Sequence, residues 1–163
     1  MARSTVADAN SSRPVAFFRD LFAEMYALCR PVAPGHKFRF KSRLFSLDAT
    51  TIKLCLSLFP WASFRREKGG VKLHTLLDHD GYILAFVTVS EACVHESRLA
   101  RALELPKGSI AVFDKGYIDY SWFRLLGAKG VFFVTRLKRN AVYRLLERRP
   151  VKRGDGVTSD HVI

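Results

Sequence analysis

The chain has 163 residues, a formal net charge of +12 at pH 7, 48% hydrophobic residues and 26% charged residues. This length allows one ordinary domain of roughly 100 to 200 residues and excludes two full catalytic domains. The composition is typical of a globular protein with a real core, and it excludes a coiled coil or a largely disordered chain.

No apolar stretch approaches the roughly 18 residues that a membrane span needs. The first twenty residues carry Asp8 and Asp20 and lack a continuous apolar run, so they fit neither a secretory signal nor a transit peptide. We therefore expect a cytoplasmic protein without a membrane partner. Three widely spaced cysteines, Cys29, Cys55 and Cys93, predict reduced core thiols instead of a disulfide or zinc framework.

The positive charge is concentrated in two segments. Residues 129–153 hold nine Lys and Arg against one acid, Glu147, which accounts for +8 of the +12. A second cluster, Lys37, Arg39, Lys41 and Arg43, alternates with two phenylalanines and predicts a strand with the cations on one face. Each cluster is either a solvated face or the contact surface of a polyanion, which in most basic proteins is nucleic acid.

The periodicity predicts one N-terminal helix and then strands. Residues 10–12 offer N-cap chemistry, and apolar residues recur at helical spacing as far as Cys29. Residues 44–58, 71–77 and 82–89 predict three strands, of which the last two form a hairpin about the turn at residues 78–81.

The second half alternates helices and strands. Residues 97–105 and 121–126 predict short helices, and residues 109–113 and 131–137 predict strands. The order β-β-β-α-β-α-β resembles the ribonuclease H-like α/β fold, with a mixed sheet. We predict an N-terminal helical segment at residues 1–35 and a partial domain of this fold at 36–163, incomplete at its C-terminus.

In this topology the first strand lies parallel to the fourth, so Asp48 and Asp114 become neighbours in space. Two facing carboxylates are suited to Mg²⁺, which prefers hard oxygen ligands. Asp48 lies within an apolar and β-branched run, so we expect it to be buried, where an unpaired carboxylate is costly. A strand-end aspartate bonded to backbone is the structural alternative.

Several strings then resemble the insertion-sequence-four family of bacterial DDE transposases: residues 4–10 (STVADAN), 47–52 (LDATTI), 70–78 (GVKLHTLLD), 113–117 (FDKGY) and 130–138 (GVFFVTRLK). The resemblance covers nearly the whole chain. It implies metal-dependent DNA cleavage and strand transfer with two Mg²⁺ or Mn²⁺ ions, and it makes Asp48 and Asp114 the first two acids of the catalytic triad. DNA is the implied partner, and the resemblance allows a homodimer of the intact enzyme.

Further positions are candidate DNA contacts by the same resemblance or by their charge. Lys72 and His74 form a Lys-x-His pair that shares one face of a strand, and Tyr117 lies in the turn after the second acid, where packing is an equal alternative. The candidate set is Lys72, His74, Lys115, Tyr117, Arg136, Lys138, Arg139, Arg148 and Arg149.

The sequence departs from the family at the third acid, because the chain ends before the downstream Tyr-x2-Arg-x3-Glu-x6-Lys signature. Glu147 is the local substitute, and we interpret it as a helix-surface acid that relieves repulsion between Arg144 and Arg148. Two alternatives to an active transposase fragment follow. One is a catalytically inactive DNA-binding remnant, which we expect of the isolated chain because the third acid is missing. The other is a small nuclease whose site Glu147 completes.

Overall fold

The computed structural model describes residues 3–54, 63–64, 68–92, 94, 96–152, 154 and 156–163. Two helices, α1 (Arg3–Ser12) and α2 (Val15–Cys29), precede the first strand. The prediction of one helix capped at residues 10–12 is wrong, because these residues end α1 and Pro14 is the N-cap of α2. Proline has no backbone N–H to donate, which is tolerated at a helix start and not in a helix interior.

The remaining elements form a mixed sheet, two short helices and a terminal hairpin. They are β1 (Leu44–Leu54), β2 (Ser63–Phe64), β3 (Lys68–Asp78), β4 (Ile83–Glu91), α3 (Glu96–Ala100), β5 (Ile110–Phe113), α4 (Tyr120–Ala128), β6 (Phe132–Thr135), β7 (Glu147–Arg149) and β8 (Asp160–Val162). The mixed α/β class is therefore confirmed. Cys55 and Cys93 lie outside the described residues, whereas Cys29 is exposed, so its predicted place in the core is wrong.

The sheet joins an antiparallel half to a parallel half at β1. Strand β3 pairs antiparallel with β1 on one side and with β4 and the short β2 on the other. On its second edge, β1 pairs parallel with β5, and β5 pairs parallel with β6. The carboxyl ends of β1, β5 and β6 consequently point in one direction.

The core cluster of the described residues lies on one face of this sheet. Phe45, Leu47 and Phe113 alternate with outward residues along their strands, and they pack against Trp122 and Leu126 of α4. Other core residues are Leu76, Ala100, Leu103, Leu105, Ala111, Tyr117 and Val131. Burial of each large apolar side chain contributes roughly 1.5 to 3 kcal/mol.

Helix α2 is joined to the sheet through Asp78, a buried acid that also pairs with Arg43. Asp78 at the end of β3 is fully buried and bonds to Arg43, and it accepts a hydrogen bond from the Tyr26 hydroxyl of α2 at 3.3 Å. Burial acts to lower the pKa of Arg43, but its hydrogen bonds to Asp78 and Tyr26 outweigh burial and raise that pKa above its usual value.

Two further sequence predictions need correction. Residues 36–43 form an irregular segment instead of the predicted strand, because His36 holds the chain in a turn through its Nε2, 2.9 Å from the Ser42 carbonyl oxygen. Residues 147–149 form β7 and not a helix, since Arg149 precedes Pro150 and proline disfavours a helical conformation of the residue before it. In the described part of the chain, no helix has the length and apolarity needed to cross a bilayer.

Candidate active site

Asp48 lies in the middle of β1, at the level where β5 and β6 end and Asp114 and Arg136 follow them. Leu47 of β1 pairs with Phe113 of β5, and Phe113 pairs with Thr135 of β6. The residues that directly follow Leu47, Phe113 and Thr135 in the chain are Asp48, Asp114 and Arg136, respectively. Adjacent strands lie about 4.8 Å apart, so the register brings the two aspartates to neighbouring positions on one face.

Arg136 is an ion-pair partner of Asp114. Its Nη2 donates to Asp114 Oδ1 at 2.8 Å, with side chains that are 79% and 48% exposed. The hydrogen bond from Arg136, followed by that from the backbone N–H of Lys115, lowers the pKa of Asp114 below its usual value. The charge of Asp114 is therefore partly neutralised by Arg136, which the sequence suggests only as a DNA contact.

Asp48 is exposed, which corrects the prediction that it is buried. The apolar and β-branched run around it contributes alternate residues to the core, while Asp48 and Thr50 point to the open face of the sheet. Two exposed carboxylates, one on β1 and one directly after the adjacent β5, fit the hard-oxygen preference of a divalent cation. Among the described residues no cluster contains three or more His, Cys, Asp or Glu, so this pair supplies two ligands.

A buried hydrogen-bond chain supports the turn that follows Asp114. The Tyr117 backbone N–H donates to the Asp114 carbonyl oxygen at 3.0 Å, closing a 3₁₀ turn over Lys115–Tyr117. The Tyr117 hydroxyl lies 3.2 Å from His74 Nδ1, and His74 Nε2 lies 3.0 Å from the Ser90 hydroxyl. Tyr117 and His74 are each only 1% exposed.

This burial corrects the interpretation of Tyr117 and His74 as DNA contacts, because neither side chain offers a surface to a ligand. Asp48 pairs with Thr75 across the sheet, so its side chain shares a face with Thr75, while His74 and Lys72 project to the opposite face. Lys72 is half-buried, and its ammonium lies 3.5 Å from the Val94 carbonyl oxygen. A direct approach of Lys72 and His74 to the acid pair is excluded by this alternation.

Cations surround the exposed side of Asp114. Lys115, Lys138 and Arg139 line an open pocket together with Asp114, Gly116 and Asn140. Arg148 and Arg149 are exposed on β7, in the separate two-stranded sheet with β8. Glu147 lies on the same strand, is exposed, and has its Oε1 3.8 Å from Arg149 Nε. The positive environment of Asp114 comes from the three pocket cations, Lys115, Lys138 and Arg139.

A paired-acid edge beside a basic pocket is an arrangement suited to phosphate chemistry, and the comparison with protein families agrees. The model of the transposase DDE domain matches residues 39–160, which is most of the chain and includes both aspartates. The chain belongs to the transposase DDE domain family. Domains of this family generally use divalent metal ions.

Two curated relatives carry transposase names. The chain is 31% identical over 155 residues to "Putative transposase y4zB" of Sinorhizobium fredii, which covers 94% of this chain and 42% of that protein. It is 25% identical over 137 residues to "Probable transposase for insertion sequence element IS5377" of Geobacillus stearothermophilus, covering 84% of this chain and 36% of that protein. The chain therefore spans about two fifths of the length of these relatives.

Proposed function

We propose that this chain carries the first two acids of a ribonuclease H-like DDE transposase centre that cleaves and joins DNA strands. The observation that carries the proposal is the register of β1 and β5, which sets Asp48 and Asp114 one step beyond the Leu47 and Phe113 pair. Membership of the transposase DDE domain family supports the same assignment. The insertion-sequence-four subgroup remains our prediction from the sequence strings.

Asp48 and Asp114 are the residues that would hold a divalent cation, with Mg²⁺ or Mn²⁺ as the candidates. When bound, such ions supply charge neutralisation on the scissile phosphate and activation of the attacking oxygen. Asp114 contributes a carboxylate whose pKa is lowered by the hydrogen bond from Arg136. Arg136 donates to Asp114 Oδ1 at 2.8 Å, so its guanidinium would compete with a cation for that oxygen.

DNA is the proposed substrate, and the charges near the acid pair are its proposed contacts. Lys115, Lys138 and Arg139 lie beside Asp114, where they can neutralise phosphates on either side of a reacting bond. Arg148 and Arg149 extend the positive surface on β7. His74 and Tyr117 are proposed positioning residues, because they brace the turn that begins at Asp114.

The experiment is a cleavage assay with labelled duplex DNA, first with Mg²⁺ and then with Mn²⁺. Where the chain cuts DNA, strand breaks should depend on the cation and fall by at least about 100-fold in Asp48→Asn and in Asp114→Asn, the order of loss when reacting groups are misplaced. Asp20→Asn, at an exposed acid of α2, is the matched control and should leave cleavage unchanged. Cleavage that survives both active-site substitutions would contradict the proposal.

A second candidate is a chain that binds DNA without cutting it. Two observations favour it: no third carboxylate clusters with the pair among the described residues, and Arg136 occupies one oxygen of Asp114. Binding without strand breaks in the assay above would select this candidate. Strand breaks that require Glu147 as well as both aspartates would select a small nuclease instead.

A further inference from the structure

Five aromatic rings form a connected surface at the start of β1, and we call them the aromatic patch. It consists of His36, Phe38, Phe40, His79 and Tyr82. Phe38 and Phe40 stack with ring planes only 4° apart and centroids 5.6 Å apart, yet they are 47% and 39% exposed. Two exposed, parallel phenylalanine rings leave aromatic faces available to a planar ligand.

The aromatic patch is held in place by hydrogen bonds of its backbone. The His36 N–H donates to Asp80 Oδ1 at 2.9 Å, and the Gly81 N–H donates to the Pro34 carbonyl oxygen at 2.8 Å. Gly81 has a φ of +71°, and a Cβ there would lie 2.7 Å from the Ala33 side chain, so only glycine allows this close approach. The rings are thus presented by a braced segment, which lowers the ordering cost of binding.

Cations alternate with the stacked phenylalanines. Lys37, Arg39 and Lys41 are exposed, and none of the three forms an ion pair with another described residue. Arg43, at the end of the segment, is paired with Asp78. Stacking faces interleaved with unpaired cations match the two chemical parts of a nucleic acid strand, its bases and its phosphates.

We infer that the aromatic patch binds unpaired nucleotides of a DNA strand by base stacking, while Lys37, Arg39 and Lys41 contact the phosphates. Aromatic rings reach base faces only where the bases are unstacked from a duplex. A base inserted between two parallel rings needs about 6.8 Å, twice the roughly 3.4 Å rise of stacked nucleotides. The 5.6 Å between Phe38 and Phe40 is too small, so the base stacks on an outer face of the pair.

The location gives this site a role in the proposed strand cleavage, and this part of the inference rests on the proposed function. Ser46 bonds His79 Nε2 at 2.7 Å, and its side chain shares the open face of β1 with Asp48. The start of β1 at Leu44 lies four residues before Asp48, about 13 Å along the strand, or about four stacked nucleotides. A strand frayed at the acid pair can therefore reach the aromatic patch.

The test compares three labelled DNA probes by fluorescence anisotropy: an oligothymidylate of about 12 nucleotides, within the range of single-strand site sizes, an abasic strand of the same length, and a duplex. Both single strands carry the same phosphates, so the ratio of their two affinities measures the contribution of base stacking. We expect the oligothymidylate to bind at least about fivefold more tightly than the abasic strand, the contribution of about one stacked base.

The Phe38→Leu, Phe40→Leu double variant keeps apolar bulk and should bring this ratio to about one without changing the salt dependence. Replacing Lys37, Arg39 and Lys41 by Gln should flatten the slope of log K against log salt by about 2 for single strands. Phe17→Ala, at an equally exposed ring of α2 (43%), is the control and should leave the ratio unchanged. Circular dichroism verifies that each variant is folded.

The inference would be overturned if the unmodified protein bound the oligothymidylate and the abasic strand equally. It would also be overturned if the double leucine variant kept the affinity ratio of the unmodified protein. Self-association of the unmodified protein that the leucine variant abolishes, with no change in the ratio, would show a protein interface instead. Duplex binding and cation-dependent cleavage that persist in either case would leave the proposed function standing. The two failures are thereby distinguished.

Discussion

The Tyr117 hydroxyl lies 3.2 Å from Nδ1 of His74, and both side chains are 1% exposed. This contact joins β3 to the turn that starts at Asp114, since the Tyr117 N–H also bonds the Asp114 carbonyl oxygen. The position of one proposed metal ligand therefore depends on a polar pair inside the core. Buried polar groups of this kind are costly to leave without a partner.

Tyr117→Phe removes the hydroxyl and leaves His74 Nδ1 without this bond. We expect the free energy of unfolding to fall by about 0.5 to 1.5 kcal/mol, the net contribution of one hydrogen bond. Urea denaturation measures the change. The matched control is Tyr120→Phe at a ring that is 65% exposed, for which the change should stay within about 0.5 kcal/mol. Equal free energies of unfolding in Tyr117→Phe and Tyr120→Phe would contradict the bracing role of Tyr117.

The N-cap of α4 gives the protein a pH-dependent contribution to stability. Asp119 accepts from the Trp122 N–H at 3.1 Å and pairs with Arg101 at 2.7 Å. The Ser121 hydroxyl, followed by Arg101, lowers the pKa of Asp119 far below its usual value. A lowered folded-state pKa adds stability above the unfolded value of about 3.9, and this stability is lost as the pH falls further.

Asp119→Ala should therefore cost about 1 kcal/mol at neutral pH through loss of the cap. Asp119→Asn keeps a capping oxygen and should flatten the fall in stability below about pH 4. Thermal unfolding between neutral pH and about pH 2 measures both effects, with Asp20→Asn as the control. An unchanged acid profile in Asp119→Asn would contradict the assignment.

Arg136 is expected to compete with a divalent cation for Asp114. Arg136→Ala should raise the pKa of Asp114 toward the ordinary 3.8, because it removes the largest cause of the lowering. It should also tighten Mn²⁺ binding severalfold, since no cation then has to leave the carboxylate. A carboxyl-detected NMR titration and calorimetry measure the two effects. Arg124→Ala, an exposed arginine of α4, should change neither.

The basic pocket next to Asp114 should set the salt dependence of duplex binding. Lys138→Gln and Arg139→Gln should each flatten the slope of log K against log salt by about 0.9, the value for one phosphate contact. Anisotropy titrations at several salt concentrations give the slope. Arg13→Gln and Arg19→Gln, at exposed positions near α2, are charge-matched controls. A slope that falls equally in all four variants would show a diffuse charge effect without a defined contact surface.

The local features that could be predicted from the sequence are those with a strong short-range signal. The antiparallel half of the sheet could be predicted from the alternation of apolar and polar residues in β1, β3 and β4. The Asp-Gly turn between β3 and β4 indicated their hairpin. The parallel neighbours β1 and β5 followed from the order of elements. The open face of the sheet could not be predicted, because apolar residues on both faces of β1 favoured burial of Asp48, which is exposed.

Polar pairs between residues far apart in the sequence could not be predicted for a related reason. His74 and Tyr117 are 43 residues apart, so their contact has no local signature in the sequence. A polar residue on a strand, such as His74, is typical of a solvated face, and its burial was therefore not expected. Arg136 pairs with Asp114 only because β5 and β6 are in register. The spacing of 22 residues between them would have indicated the pair once both strands were aligned from their first residues.

The proposal that Asp48 and Asp114 form one cation site is best tested by measuring Mn²⁺ binding to the whole chain. Electron paramagnetic resonance of added Mn²⁺ gives the bound fraction, and paramagnetic broadening in NMR spectra gives its position. We predict that signals of Asp48 and Asp114 broaden first and together, and that Asp48→Asn or Asp114→Asn each abolishes tight binding. Equal Mn²⁺ binding by the double Asn variant, or broadening centred elsewhere, would contradict the claim.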